Sequence, residues 1–190
     1  MTTTQRLYQL LENETLWEVA SRCHQLFQRS NVDHSICGGV AVCLHGYQRN
    51  TSGIDFVIKP SDADQVKQLL ADDGFQWNEL KKEFRSASGI PVQFLLTGEK
   101  AGKGSEVLIP EPTGEFNVEE REGHYVVRLS RLIEMKLASG LGNMRRTHKD
   151  FADVVELIAV RKLDGTFARF LHSSLRDTFP QLVRNVQADE

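Results

Sequence analysis

Two glycines and an aspartate carry most of the chemistry that can be read from this sequence. Gly38 and Gly39 stand where a short apolar segment, His34 to Cys37, gives way to a helix-like run, Val40 to His45. A glycine pair at a strand-to-helix turn exposes backbone N–H groups and lets a phosphate approach closely. Most such pairs are only turns, so its meaning depends on the residues downstream. Asp55 lies in IDFVI, Ile54 to Ile58, a strand by its period of two: Ile54, Phe56 and Ile58 share one face, Asp55 and Val57 the other. Acidic residues two apart on such a strand would aim at one face beside the glycine turn. Two carboxylates there could hold Mg2+ against a nucleoside triphosphate.

The flanking pattern says what must position these groups. Residues 5 to 29 read as helix in one or two pieces, with Asn13 or Thr15 as the cap between them. Pro60 ends the Asp55 strand, and Ser61 is placed to cap a helix over 62 to 73. Strands are expected near Glu83 to Ala87 and Pro91 to Leu96, turned by Ser88-Gly89. Residues 98 to 114, punctuated by glycine and proline, read as a mobile loop with a short edge strand at Glu106 to Ile109. A hairpin over 115 to 128 and two helices complete the pattern. One of these helices is lined by Leu129, Leu132, Ile133 and Leu137, the other by Phe151, Val154, Val155 and Ile158.

The stretch GGVAVCLHGYQRNTSGIDFVI, Gly38 to Ile58, resembles the signature of minimal nucleotidyltransferases of the polymerase-beta-like superfamily, including the abortive-infection toxin branch. Gly38, Gly39, Ala41, His45, Gly46, Arg49, Thr51 and Asp55 fall at matching offsets with no gap. GIPVQFLL, Gly89 to Leu96, resembles the strand that brings the family's third carboxylate. Ile133 to Asp153 resembles its helical motif. The resemblance covers roughly residues 35 to 160 and implies an α/β (α+β) fold: a mixed β-sheet flanked by helices, with a C-terminal helical part. It divides the chain into an N-terminal helical segment (1–30), a nucleotidyltransferase-like core (31–128) and C-terminal helices packed on it (129–190).

The departures matter as much. Gly53 stands at the family's first acidic position and Gln93 at its third, which leaves Asp55 as the remnant catalytic and metal-binding carboxylate. In-line nucleotidyl transfer needs one metal on the leaving phosphates and another at the attacking oxygen, and one carboxylate does not position both. Mg2+ is therefore expected only as a weakly held ion, riding on triphosphate with a single protein ligand and several waters. Gly38, Gly39, Arg49, Thr51, Lys136 and Lys149 are the implied nucleotide contacts. Taken alone, Arg49 and Thr51 read equally well as a solvated loop. On composition, Lys136, Arg146, Lys149, Asp150 and Asp153 read as a solvated helical face laced with ion pairs. His45 reads as a packing residue, and Trp17, Trp77 and the phenylalanines as core.

The expectation is thus a nucleotidyltransferase-like domain impaired in catalysis that binds a nucleoside triphosphate, or a protein or RNA partner. One alternative is an active enzyme moving a nucleoside monophosphate to a protein, tRNA or small acceptor. It would need another acid in the site, with Asp33, Glu83 and Glu106 the candidates. The other is a scaffold or toxin–antitoxin-like interaction protein. Bulk properties fit all three. The 190 residues carry a net charge of −3, so no global field draws the chain to nucleic acid or anionic membrane, though a local basic patch stays open. No apolar run approaches the roughly 18 residues of a spanning helix. Cys23, Cys37 and Cys43 make no CxxC pair, and six scattered histidines show no ligand spacing, so reduced thiols and a cytoplasmic location are expected.

Overall fold

A computed structural model describes residues 14–188, with side chains from Leu16 onward. Helix α1 (Glu14–Arg29) leads into β1 (His34–Cys37), α2 (Gly38–Leu44) and β2 (Ile54–Ile58). Then come α3 (Ala63–Asp72), β3 (Gln76–Asn78), β4 (Glu83–Arg85), β5 (Pro91–Leu96), β6 (Val118–Arg121) and β7 (His124–Val127). Helices α4 (Leu129–Gly142), α5 (Met144–Arg161) and α6 (Thr178–Ala188) complete the order. The strands form one mixed sheet in the order β3-β4-β5-β2-β1-β7-β6. At its centre β2 runs antiparallel to β1 and parallel to β5, and the β2–β5 register pairs Asp55 with Gln93.

Both faces of the central strands are covered. Ile36, Ile54, Phe56 and Ile58 are fully buried, and Phe27 of α1 meets Phe56 edge-on at 5.4 Å. The helix stop signals work as physics requires. Asn143 breaks the chain between α4 and α5, and its side-chain oxygen accepts the Arg145 N–H at 3.0 Å, capping α5.

Several expectations need correction. Thr15 lies within α1 and not between two helical pieces, while Asn13 lies outside the described residues. Ser61 does not cap α3: a 3-10 turn, Pro60–Asp62, precedes that helix, and the Ser61 hydroxyl donates to Asp62 Oδ1 instead. Residues 98–114 form a packed hairpin. Ala101 N–H donates to Val107 O (2.9 Å) and Ile109 N–H to Glu99 O (2.7 Å), with Val107 and Ile109 buried. One of its glycines is a contact point: a Cβ on Gly102 would stand 2.0 Å from the Ala138 carbonyl oxygen of α4. Trp17 is core, but Trp77, Phe116 and Phe170 are exposed. All three cysteines are free and buried.

Candidate functional site

The sheet face that carries Asp55 opens into a cleft between β2, β5, the β3–β4 hairpin and helices α4 and α5. The cleft has two chambers, of about 390 and 500 Å3. They share Gly38, Asp55, Lys81, Gln93, Lys136 and Arg146. Apolar side chains such as Leu132 and Met135 line the first; Arg49, Thr51, Gly53 and Lys149 line the second. Every residue that the sequence singled out for nucleotide or metal thus reaches one cavity.

The glycine pair is explained by the side chains that lie on it. Gly38 has φ +63°, and a Cβ there would fall 1.9 Å from Asp55 Oδ2. A Cβ on Gly39 would fall 2.4 Å from Thr51 Oγ1. The missing side chains let Asp55 and Thr51 lie flat on the start of α2, with the Gly39 N–H donating to the Asp55 carboxylate. Burial pushes the Asp55 carboxyl above its ordinary value, and the charges of Lys136, Arg146 and Lys149 pull it partly back.

Gly53 has a packing reason of its own, since a Cβ would stand 2.8 Å from Pro91 Cγ and 3.0 Å from the Pro91 carbonyl oxygen. Gln93 donates through Nε2 to Glu83 Oε2 at 2.9 Å, and Arg85 pairs with Glu83 Oε1 at 2.5 Å. Of the three alternative acids, Glu83 therefore lines the cleft. Asp33 pairs instead with Lys59 at 2.6 Å, and Glu106 faces a separate groove beside Arg131. Glu83 is nonetheless a poor partner for Asp55. One step of the β4–β5 register sets it across from Gln93, two strands from Asp55, so their backbones stand about 10 Å apart. Both its oxygens are already engaged.

Helices α4 and α5 supply a buried ion network, not the solvated face that composition suggests. Lys136 Nζ reaches Asp150 Oδ1 at 3.1 Å and Asp153 Oδ2 at 2.6 Å. Arg49 grips Asp153 with two nitrogens, at 2.6 and 2.9 Å, and Arg146 Nε meets Asp150 Oδ2 at 3.0 Å. Lys136, Asp150 and Asp153 are at most 5% exposed. Burial of such charges is tolerated because each is paired and hydrogen-bonded. Burial alone would raise Asp150, but the Arg146 hydrogen bond and the Lys136 charge outweigh it and hold the carboxyl low. His45 is fully buried and bonds through Nε2 to the Val127 carbonyl at 2.8 Å, a packing role as expected.

Lys81, Lys82, Arg85 and the apolar residues of the first chamber are not legible as site residues in the sequence. A Lys-Lys pair just before a strand is the only signal, and it reads as an ordinary turn. In all, the cleft is lined by Arg49, Lys81, Lys82, Arg85, Lys136, Arg146 and Lys149, against Asp55, Glu83 and Asp150. An acidic protein has a basic cleft.

This donor set suits Mg2+ badly. Asp55 is a single carboxylate, the next residue along the sheet is a neutral amide, and Glu83 is tied to Arg85. Among the described residues, no three His, Cys, Asp or Glu side chains form a group that could hold a metal ion. The residues present do not fit a pair of divalent ions.

No protein-family model matches the chain, and no curated protein matches its sequence. Solved structures do. The chain is similar to an antigenic nucleotidyltransferase-like protein from Paracoccidioides brasiliensis, with TM-score 0.52, 17% identity, and 92% of this chain and 86% of that one covered. It is also similar to ANT(2")-Ia in complex with adenylyl-2"-tobramycin (TM-score 0.51, 9% identity, 88% and 96% covered). A solution structure of the antibiotic-resistance factor ANT(2'')-Ia gives TM-score 0.50 at 10% identity, with 89% and 91% covered. At such identities the likeness concerns the fold, and it agrees with the mixed sheet and its flanking helices. This chain has the nucleotidyltransferase fold.

Proposed function

We propose that this chain uses its cleft to bind a nucleoside triphosphate and transfers little or none of it. One observation carries the reading: of three acidic positions only Asp55 is a carboxylate, inside a cleft whose other charged lining is mostly cationic. Such a site attracts phosphate but lacks the ligands that activate an attacking oxygen. The nucleotidyltransferase fold supports the choice of a nucleotide over other anions. The test pairs two measurements. Titration with each common triphosphate should show saturable binding that Arg49→Ala weakens. Incubation with labelled triphosphate, Mg2+ or Mn2+, tRNA and protein acceptors should show no transfer above background.

Glu83 gives the active-enzyme reading its one support, since it enters the same chamber as Asp55. Its two-strand separation and its pairing with Arg85 weigh against it. Robust transfer abolished by both Asp55→Ala and Glu83→Gln would reverse the order of the two readings.

A further inference from the structure

The mismatch between the cleft and a divalent metal raises the question of what neutralises a bound phosphate chain. Four of the seven cations that line the cleft are already committed: Arg49, Lys136 and Arg146 to Asp150 and Asp153, and Arg85 to Glu83. Lys81, Lys82 and Lys149 make no side-chain ion pair among the described residues. Lys149 acts at longer range on Asp55. Lys81 and Lys82 are exposed and face inward. Lys82 lines the first chamber, and Lys81 lines both, as Asp55 and Gln93 do.

The hairpin that carries them is held in shape. Trp77 of β3 pairs with Phe84 of β4 in register, with their rings 5.0 Å apart. The Asn78 side chain accepts the Lys81 N–H at 3.1 Å, and Lys82 turns through φ +51°. Glu79, the acid at the tip, accepts the Trp77 indole N–H at 2.5 Å, and among the described residues it makes no ion pair with either lysine. An ammonium donates three hydrogen bonds, binds phosphate as a point charge and needs no carboxylates to hold it in place. Two of them match the charge of one Mg2+.

We infer that Lys81 and Lys82, at the tip of the β3–β4 hairpin, take the part of the divalent cation and bind the ligand's phosphates directly, making this a metal-independent polyphosphate site. The inference rests on the nucleotide-binding reading above and goes further, because it reverses the effect of Mg2+. Free triphosphate offers the lysines its full negative charge, whereas the Mg2+ complex has two of those charges already neutralised. Mg2+ should therefore leave affinity unchanged or weaken it.

The experiment is a calorimetric titration of the full chain with ATP, GTP, CTP, UTP and inorganic tripolyphosphate, in EDTA and in excess Mg2+. Lys81→Gln/Lys82→Gln is run beside the wild type. Both positions are solvent-exposed, so the variant should melt with the wild type. The expected result is wild-type binding in EDTA that Mg2+ does not improve. The double variant should bind at least roughly tenfold more weakly, as losing two charge-assisted hydrogen bonds implies. Its dependence of log affinity on log salt should also be shallower. Wild-type binding that Mg2+ strengthens tenfold, or that the double variant retains in full, overturns the inference and leaves nucleotide binding standing. No wild-type binding of any triphosphate or of tripolyphosphate removes both.

Discussion

Gln93→Asp tests whether residues 55 and 93, register partners on β2 and β5, converge on one metal-sized space. The substitution acts twice. It replaces a donor to Glu83 Oε2 with an acceptor, and it sets a second carboxylate beside Asp55, its register partner across β2 and β5. Neighbouring strands lie about 4.8 Å apart, and two unit charges about 5 Å apart at an effective dielectric near 20 repel by about 3 kcal/mol. Lys81 and Lys136 line the same space and offset part of this, while partial protonation relieves more. A net loss of about 2 kcal/mol at pH 7 in EDTA is the reasoned figure, of the order of 1 M in a urea midpoint. The two carboxyls raise each other's pKa in the folded state. The deficit should therefore be full above that raised range and shrink as the pH falls through it.

Metal reverses the sign. Mn2+ that binds only the folded, diacidic variant adds about 2.7 kcal/mol at a hundred times its Kd, enough to erase the deficit. The wild type, in which Asp55 faces a neutral amide and Glu83 stands two strands away and is paired with Arg85, should show a flat midpoint over the same range. Gly53→Asp is the natural companion change, but packing forbids it: the new Cβ would press on Pro91 at 2.8 and 3.0 Å. The assay is urea unfolding against Mn2+ concentration for both proteins. Equal midpoints in EDTA, with both curves flat, would show that residues 55 and 93 do not share a cation-sized space, and the site assignment would fall.

Buried charge gives two further expected outcomes. Lys136→Met strands Asp150 and Asp153, and because Arg49 and Arg146 remain as partners the loss belongs near the low end of the about 3–5 kcal/mol range for a broken buried pair; an unfolding free energy within about 0.5 kcal/mol of wild type would contradict the network, and Lys136→Arg should recover most of the loss. Acid should weaken the α1–sheet contact, where His24, His34 and His124 stack between helix and strands: His24 Nδ1 lies 2.8 Å from His34 Nε2, His34 Nδ1 bonds to the Val32 carbonyl, and Ser21 Oγ meets His124 Nε2. Burial lowers all three, His24 to about 4, while Asp33 and Glu122 pull the other way on His34 and His124 respectively. Folded pKa values below the unfolded 6.5 mean that the unfolded chain binds the extra protons, so stability is full above pH 6.5 and falls as pH drops toward 4. His24→Gln should flatten that fall in melting temperature, and an unchanged slope would refute the assignment.

How much of this is legible in the sequence depends on the range over which each interaction acts. β1, β2 and β5 can be read because alternation and a terminal glycine or proline are local signals. The three residues of β3 are too few to show a period. The 98–114 hairpin reads wrongly as a mobile loop because glycine at a close backbone contact, as at Gly102 on Ala138, looks the same in sequence as glycine in a free loop. The Lys136 network is hidden for a related reason: its acids lie 14 and 17 positions downstream on another helix, and no periodicity rule brings them together. Local basicity is masked by a net charge that averages over all faces. Yet two of the sequence's departures already contain it. Where the resemblance expects an acid, at Gly53 and at Gln93, a neutral residue leaves the cleft one unit more positive than the expected pattern would. The neutral residues at 53 and 93 and the unopposed lysines are therefore one electrostatic fact, and a cleft with few ligands for a cation has for the same reason more attraction for a bare phosphate.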